Sequence, residues 1–201
     1  DMIEGLPCYP SVATLPGVPD LGLVVLTPEA SVSAVEALAA QGAKACAVLA
    51  SGFNEIGPHG ALLERRMAIA AQQHGMLLLG PNTLGFVNAF DRTAATFSQF
   101  AEGDITESPV AFVSQSGAFG TAIAGLARAR QIGMGWFVNT GNEAVLDIWD
   151  ILDAAIDNEH IRVLAGYVEN LGDGRKMARV ALRAAIANKP MVITKVGNST
   201  R

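Results

Sequence analysis

Short, unbroken apolar runs alternate with longer stretches of helical spacing along most of this chain. Leu21-Gly-Leu-Val-Val-Leu26, residues 44–50 beyond their opening Lys44, and Met76-Leu-Leu-Leu79 are such runs. Each is too short for a typical helix and too apolar to face water, which predicts strands of sheets buried on both faces. Between them, residues 31–41 and 60–73 read as helices, with Ser31 capping the first and Gly42 and Gly75 as stops. A second alternation follows, with strands at 110–114, 135–139, 162–168 and 190–196 and helices at 117–131, 144–157 and 173–188. Residues 84–104 interrupt the rhythm with two β-like pieces, 85–88 and 94–97. The first 20 residues hold Pro7, Pro10, Pro16 and Pro19 and read as an irregular, partly extended lead-in.

Strands alternating with helices imply parallel sheets with right-handed crossovers. The polar, turn-rich stretch Gly103-Asp-Ile-Thr-Glu-Ser-Pro109 separates two such units. The expected fold is therefore α/β, with two consecutive open parallel-sheet domains at 1–104 and 108–201. The chain starts without a strand and stops soon after one, so both domains are expected to be parts of something longer.

Composition agrees with a soluble globular α/β protein: half of the 201 residues are hydrophobic and only 16% are charged, which argues against disorder. A net charge of −5 gives no electrostatic reason to expect nucleic acid or an anionic membrane as partner. The charge-free run near 108–127 contains Ser, Gln and Gly and makes a poor membrane span. Cys8 and Cys46 form neither a metal-ligand spacing nor a disulfide framework, which suits a reducing cytoplasm.

Ligands of open parallel sheets bind beyond the carboxyl ends of the strands. In the first half these ends carry Thr27-Pro28, Ser51-Gly52-Phe53 and Gly80-Pro-Asn82, all small, polar or turn-forming. In the second half they carry Ser114–Gly117, Asn139-Thr-Gly-Asn142, Glu169-Asn170 and Lys195. The apolar run ending at Val113, the capping residues Ser114 and Ser116, and Gly117 predict a strand, a sharp turn and a helix start. Free N–H groups and the positive end of the helix dipole then make an anion site. Glu169 is a lone carboxylate among neutral turns, either a solvated strand-end acid or a group that orients a histidine or a metal. His59, His74 and His160 read as surface residues. Arg175, Lys176, Arg179 and Arg183 share much of one helix face and read as a solvated surface. No Ser nucleophile elbow, HExxH, CxxC or GxGxxG occurs.

Several pieces, in the same order, resemble the NDP-forming acyl-CoA synthetases and the α subunit of succinyl-CoA synthetase. They are Pro19-Asp-Leu-Gly-Leu-Val-Val-Leu-Thr-Pro28, Ser51-Gly-Phe-Asn-Glu55, Gly80-Pro-Asn-Thr-Leu-Gly85, Val113-Ser-Gln-Ser-Gly-Ala118, Asn139-Thr-Gly-Asn142 and Lys189-Pro-Met-Val-Ile-Thr-Lys195. The resemblance implies a Rossmann-like CoA-binding domain, with Thr27, Pro28, Ser51, Gly52, Phe53 and Asn82 at the CoA crevice, followed by a flavodoxin-like ligase domain. It implies that an acid and CoA are joined through an acyl phosphate, with a histidine carrying the phosphoryl group. Ser114, Ser116, Gly117, Ala118, Gly141 and Asn142 would cradle that phosphohistidine, and Glu169 would orient it.

The same resemblance implies a first βαβ unit before Asp1, and a phosphorylated histidine and further ligase-domain structure after Arg201. ATP or GTP with Mg²⁺ would be handled by an ATP-grasp domain or β subunit, and an oligomer is expected. Thr83 stands where many relatives have Cys. The acyl substrate is not readable, although Phe119, Gly120 and Thr121 lie where a pocket would help to set it. Two other functions compete: a CoA- or acyl-CoA-sensing module of a lysine acetyltransferase, and an ordinary NAD(P)-binding protein, which the missing glycine fingerprint disfavours.

Overall fold

The computed structural model describes residues 2–101 and 105–197. The first half is a three-stranded parallel sheet, β3 (Leu21–Val24), β4 (Ala45–Val48) and β5 (Leu77–Leu79), in that spatial order. Helices α1 (Pro28–Gln41) and α2 (Pro58–His74) connect the strands. Alternation along each strand sends Val24, Cys46, Val48 and Leu78 into a core with Val35 and Leu38 of α1 and Met67 and Ala71 of α2. The opposite face is not fully covered, contrary to the expectation of burial on both faces. Leu23 and Leu77 stay 49% and 54% exposed there. Ala47 and Leu79 on that face pack instead into the core of the second half.

The lead-in is more ordered than its prolines predict. β1 (Met2–Ile3) and β2 (Leu6–Pro7) form a minimal antiparallel hairpin, turned by Glu4 and Gly5 at φ 51° and 77°.

The second half is a six-stranded sheet. Its strands are β6 (Gly85–Asn88), β7 (Thr93–Thr96), β8 (Val110–Ser114), β9 (Trp136–Asn139), β10 (Val163–Val168) and β11 (Met191–Lys195), in the order β11-β10-β8-β9-β6-β7. β8 to β11 are mutually parallel, whereas β6 pairs antiparallel with both β7 and β9. The pieces at 85–88 and 94–97 thus become a hairpin of the second sheet, although the sequence places them before the turn-rich boundary. Gly85 permits this close pairing: its φ is 89°, and a Cβ there would lie 1.9 Å from the Ala95 carbonyl oxygen.

Helix α3 (Gly117–Ala129) covers one face of this sheet through Phe112, Phe119, Ala124, Phe137 and Tyr167. Helices α4 (Ile148–Asp157) and α5 (Gly174–Ile186) cover the other through Ile148, Trp149, Leu152, Leu164, Val168 and Val180. From β8 the chain crosses to β9 on one side; from β10 it continues to β11 on the other. The strand order therefore reverses at β8/β10, the topological position beyond whose carboxyl ends open α/β sheets bind ligands.

Helix starts differ from the sequence expectations. α1 begins at Pro28 with Thr27 at the N-cap position, because proline at the first helical position already has helical φ and lacks an N–H that needs a partner. Ser31 is instead buried inside the helix, its hydroxyl 3.3 Å from the Leu26 carbonyl. α4 starts at Ile148 rather than 144, because Asp147 and Asp150 form a reciprocal capping box. The basic face of α5 is partly paired, not simply solvated. Lys176 meets Asp147 and Asp150 at 2.8 and 2.6 Å, and Arg183 meets Asp153 and Asp157 at 2.6 and 2.8 Å.

Trp149 is 1% exposed, and its indole N–H donates to the Leu171 carbonyl at 2.9 Å. It ties α4 to the loop after β10. Trp149→Ala is expected to lower the unfolding free energy by about 3–5 kcal/mol, read from urea midpoints. A loss below about 1 kcal/mol would show that this core is not the support of the β10 loop.

Candidate functional site

The site is built at the carboxyl ends of β8, β9 and β10. Ser114 closes β8 fully buried, and its hydroxyl donates to the Ser116 carbonyl at 2.7 Å, which fixes the turn. Ser116 is the N-cap of α3, and its Oγ accepts from the Phe119 N–H at 3.4 Å. The N–H groups of Gly117 and Ala118 open the helix and have no intrahelical partner by position. Gly117 is kept small by Leu84, whose side chain would lie 3.0 Å from a Cβ there. Of the two serines that sequence suggested as caps, one caps and the other is structural.

Asn139 ends β9 and holds this turn from the side. Its buried Nδ2 donates to the carbonyls of Ser114 at 2.8 Å and Gln115 at 3.2 Å, and its Oδ1 accepts the Leu84 N–H at 2.7 Å. Thr83 is buried and donates to the Asn139 carbonyl, so a short polar side chain is used where the two halves meet.

The next residues leave β9 and dock on the first half. The N–H groups of Asn142, Ala144 and Leu146 donate to the carbonyls of Pro81, Gly80 and Leu78 at 2.9, 3.0 and 3.1 Å. This segment satisfies the edge of β5 that would otherwise be unpaired. Gly141 lies at φ 64°, and a Cβ there would sit 2.3 Å from the Pro81 carbonyl oxygen. The Asn142 amide donates to Glu55 at 2.6 Å and Glu64 at 2.8 Å, while its Oδ1 accepts from Asn82 at 3.2 Å. The Asn142 side chain thus points to the first half, and its N–H groups are already engaged there.

In the first half, Thr27 and Ser51 are exposed, while Pro28 and Gly52 are half-buried and adjacent. A Cβ on Gly52 would lie 2.7 Å from Pro28 Cγ, so these two turns form one wall. The Glu55 carboxylate accepts from Gly52 N–H at 2.5 Å. Burial works to raise the pKa of Glu55, but the Asn142 amide and backbone N–H groups outweigh it and hold the carboxyl below its ordinary range. Phe53 is fully buried in the first core, so only its backbone can face a crevice.

Glu169 follows β10 and is exposed, with its carboxylate beyond the strand ends. Its backbone is held by Gln115, whose Oε1 accepts from Glu169 N–H at 2.7 Å and Asn170 N–H at 2.8 Å. Gln115 Nε2 donates to the Asn170 carbonyl at 2.8 Å and to Glu143 Oε2 at 2.9 Å. Sequence reading passed over both Gln115 and Glu143. The visible signal for Glu143 is a carboxylate directly after a Gly-Asn turn; its burial needs the fold. Its other oxygen accepts from Thr140 Oγ at 2.8 Å and Ile148 N–H at 2.9 Å. Phe119 and Thr121 are half-buried and Gly120 is buried. Phe119 stacks on Tyr167 at 3.8 Å, Gly120 abuts Ser114 and Phe137, and Thr121 donates to Gly117.

The three histidines are exposed, as expected. Among the described residues, no three His, Cys, Asp or Glu side chains converge as a metal site. No helix of the described residues is long and apolar enough to cross a membrane.

A mostly parallel sheet covered on both faces, with a helix start at its reversal point, is docked on a smaller parallel sheet. Comparison with known proteins gives the class. Residues 1–89 match the profile of a CoA binding domain, and residues 107–201 match that of a succinyl-CoA ligase like flavodoxin domain. The chain is 37% identical over 197 residues to an ADP-forming acetate–CoA ligase I of Archaeoglobus fulgidus. It is 33% identical over 193 residues to the α subunit of an ADP-forming acetate–CoA ligase I of Pyrococcus furiosus. These alignments take in 98% and 96% of this chain but only 28% and 41% of the relatives. A solved acetyl-coenzyme A synthetase 1 of Ca. Korarchaeum cryptofilum, determined with phosphate and ADP, superposes with a TM-score of 0.90 at 33% identity. That match covers 99% of this chain and 42% of the other. The chain belongs to the NDP-forming acid–CoA ligase family, related to succinyl-CoA synthetase, and carries its CoA-binding and flavodoxin-like ligase domains.

Burial, the first cause, and the neighbouring Asp147 charge push the Glu143 carboxyl from its ordinary 4.5 up to about 6, against the pull of its hydrogen bonds from Thr140, Ile148 and Gln115. A raised carboxyl pKa means that the folded state binds the proton more tightly. Its contribution to stability is therefore fully present below pH 4.5 and is lost as pH rises through about 6. That contribution amounts to about 2 kcal/mol. Carbon-detected NMR of Glu143 should show a midpoint near 6, and Glu143→Gln should remove this part of the pH dependence. A midpoint at the ordinary carboxyl value would contradict the burial described.

Proposed function

We propose that this chain is the CoA-binding and phosphohistidine-receiving portion of an NDP-forming acid–CoA ligase. The first domain, built on β3, β4 and β5, takes CoA along the wall formed by Thr27, Pro28, Ser51, Gly52, the Phe53 backbone and Asn82. Supporting this is the opening of α1 at Pro28, which leaves the N–H groups of Glu29 and Ala30 free for an anionic group such as a CoA phosphate. The second domain, 108–201, receives a phosphorylated histidine at the start of α3. Ser116, Gly117 and Ala118 supply the donors there. Ser114 and Gly141 shape the turns, and Asn142 joins the cradle to the CoA domain.

The observation that carries this reading is the convergence at the β8/β10 reversal. Gln115, in the turn that opens α3, accepts from the N–H groups of Glu169 and Asn170, so the β10 loop that carries Glu169 is tied to the turn at the α3 N-terminus. An acid beside a cationic helix end is the arrangement that a phosphohistidine needs. The carboxylate accepts the imidazole N–H and so fixes which ring nitrogen carries the phosphoryl group. Backbone N–H groups and the helix dipole stabilise the phosphoryl oxygens as charge moves on and off the histidine. The phosphoryl group then passes to the acid, and the CoA thiolate displaces phosphate from the acyl phosphate. The histidine and the nucleotide, ATP or GTP with Mg²⁺, are supplied by other parts of the enzyme: an ATP-grasp domain or β subunit brings the nucleotide.

The test is product analysis on the intact enzyme that contains this chain, with a small carboxylic acid, CoA and ATP or GTP. ADP or GDP, inorganic phosphate and acyl-CoA are expected. Glu169→Gln should slow formation of the phosphoenzyme by about 10²-fold or more. AMP and pyrophosphate as products would exclude the reading, and so would acyl-CoA binding without any turnover.

A further inference from the structure

Gln115 has four hydrogen-bonding positions on its side-chain amide, and all four are used. Two backbone N–H groups of the β10 loop enter Oε1. One Nε2 hydrogen goes to the carbonyl of that loop, and the other goes to Glu143. This pattern fixes the orientation of the amide, because a flip would set its NH₂ against the N–H groups of Glu169 and Asn170. The backbone of Gln115 is bound as well, its N–H to the Tyr167 carbonyl at 3.1 Å and its carbonyl to Asn139.

Glu143 is the fixed end of this chain of bonds. It sits at φ 62° in the β9 turn, and both of its oxygens are engaged, by Thr140, the first N–H of α4, and Gln115. The Glu169 side chain, by contrast, is exposed and has no hydrogen-bond partner of its own among the described residues. Its place over the crevice is therefore set through its backbone.

We propose that the Glu143–Gln115 pair is the positioning unit of the phosphohistidine site: it holds the Glu169 backbone, and so the point from which the Glu169 carboxylate reaches out, in a set place relative to the start of α3. This inference rests on the function proposed above for Glu169, and it assigns roles to two residues that touch neither phosphate nor imidazole. The geometry has a direct chemical consequence. A displacement of the acceptor carboxylate by about 1 Å costs a transfer reaction on the order of 10²-fold in rate, while binding of CoA and acid at other surfaces is untouched.

Two measurements test the proposal separately from the reading on which it rests. The first is amide hydrogen exchange at Glu169 and Asn170 in the intact enzyme. Gln115→Ala and Glu143→Ala should each raise exchange at both amides by about tenfold, the loss of one or two hydrogen bonds. The double variant should exceed the larger single effect only slightly, because the two residues act as one unit. Glu143→Gln keeps the size of the side chain but sets an NH₂ against that of Gln115 or against the Ile148 N–H, so it should share the effect. The second is phosphoenzyme formation, expected to fall about 10- to 10²-fold in the same variants with KM for CoA unchanged. Unchanged exchange at both amides would overturn the proposal, as would fully additive single effects. If exchange rises as expected but Glu169→Gln forms phosphoenzyme at the full rate, the brace stands and the role given to Glu169 fails.

Discussion

The segment 142–146 is the constraint on which the rest depends. It leaves β9 of the larger sheet and lies along β5 of the smaller one, donating to the carbonyls of Leu78, Gly80 and Pro81. A three-stranded sheet with a bare edge and a half-covered face is marginal by itself. Here one edge is satisfied by the neighbouring domain, and Ala47 and Leu79 share that domain's core. Gly141 precedes this segment and Asn142 and Glu143 open it, so docking of the domains also sets the turn that borders the proposed phosphate cradle. Gly141 fits because a side chain would meet Pro81, and Asn142 is held by Glu55, Glu64 and Asn82.

This sharing links the two candidate ligand sites by a short path of hydrogen bonds through the adjacent residues Asn142 and Glu143. Glu55 accepts from Gly52 in the wall of the candidate CoA crevice and from Asn142 in the β9 turn. Glu143, the next residue, accepts from Gln115 at the start of the anion turn. The distance from one ligand surface to the other is thus spanned by a few side chains whose hydrogen bonds are satisfied. Gln115, Asn142 and Glu143 are half-buried, so leaving their polar atoms unpaired would cost free energy, which favours one arrangement of the domains over a loose ensemble.

Much of this was legible in the sequence. The apolar runs give the strands, and the small turns after Val24, Val48, Leu79, Val113 and Val138 give the crest where ligands bind. The order of motifs gives the family, which the comparisons bear out. Three features were not legible, each for the same physical reason. The hairpin 85–96 joins the second sheet because β6 pairs with β9, about fifty residues away, and local pattern carries no register at that range. Gln115 and Glu143 look like ordinary turn residues until three strand ends come together. Asn142 has the composition of a phosphate ligand, yet its amide is drawn to two carboxylates of the other domain. Helix starts were misjudged where Pro28 and the Asp147/Asp150 box outcompeted simpler caps.

The central claim is that the start of α3, at the β8/β10 reversal, is an anion site for a phosphoryl group. Its most direct test is a titration of the chain with inorganic phosphate, followed by amide NMR. The account predicts saturable shifts at the N–H groups of Gly117 and Ala118, accompanied by Glu169, and their loss in Gly117→Val, whose side chain would meet Leu84. Shifts confined to other surfaces, or none at Gly117 and Ala118 at saturating phosphate, would contradict it.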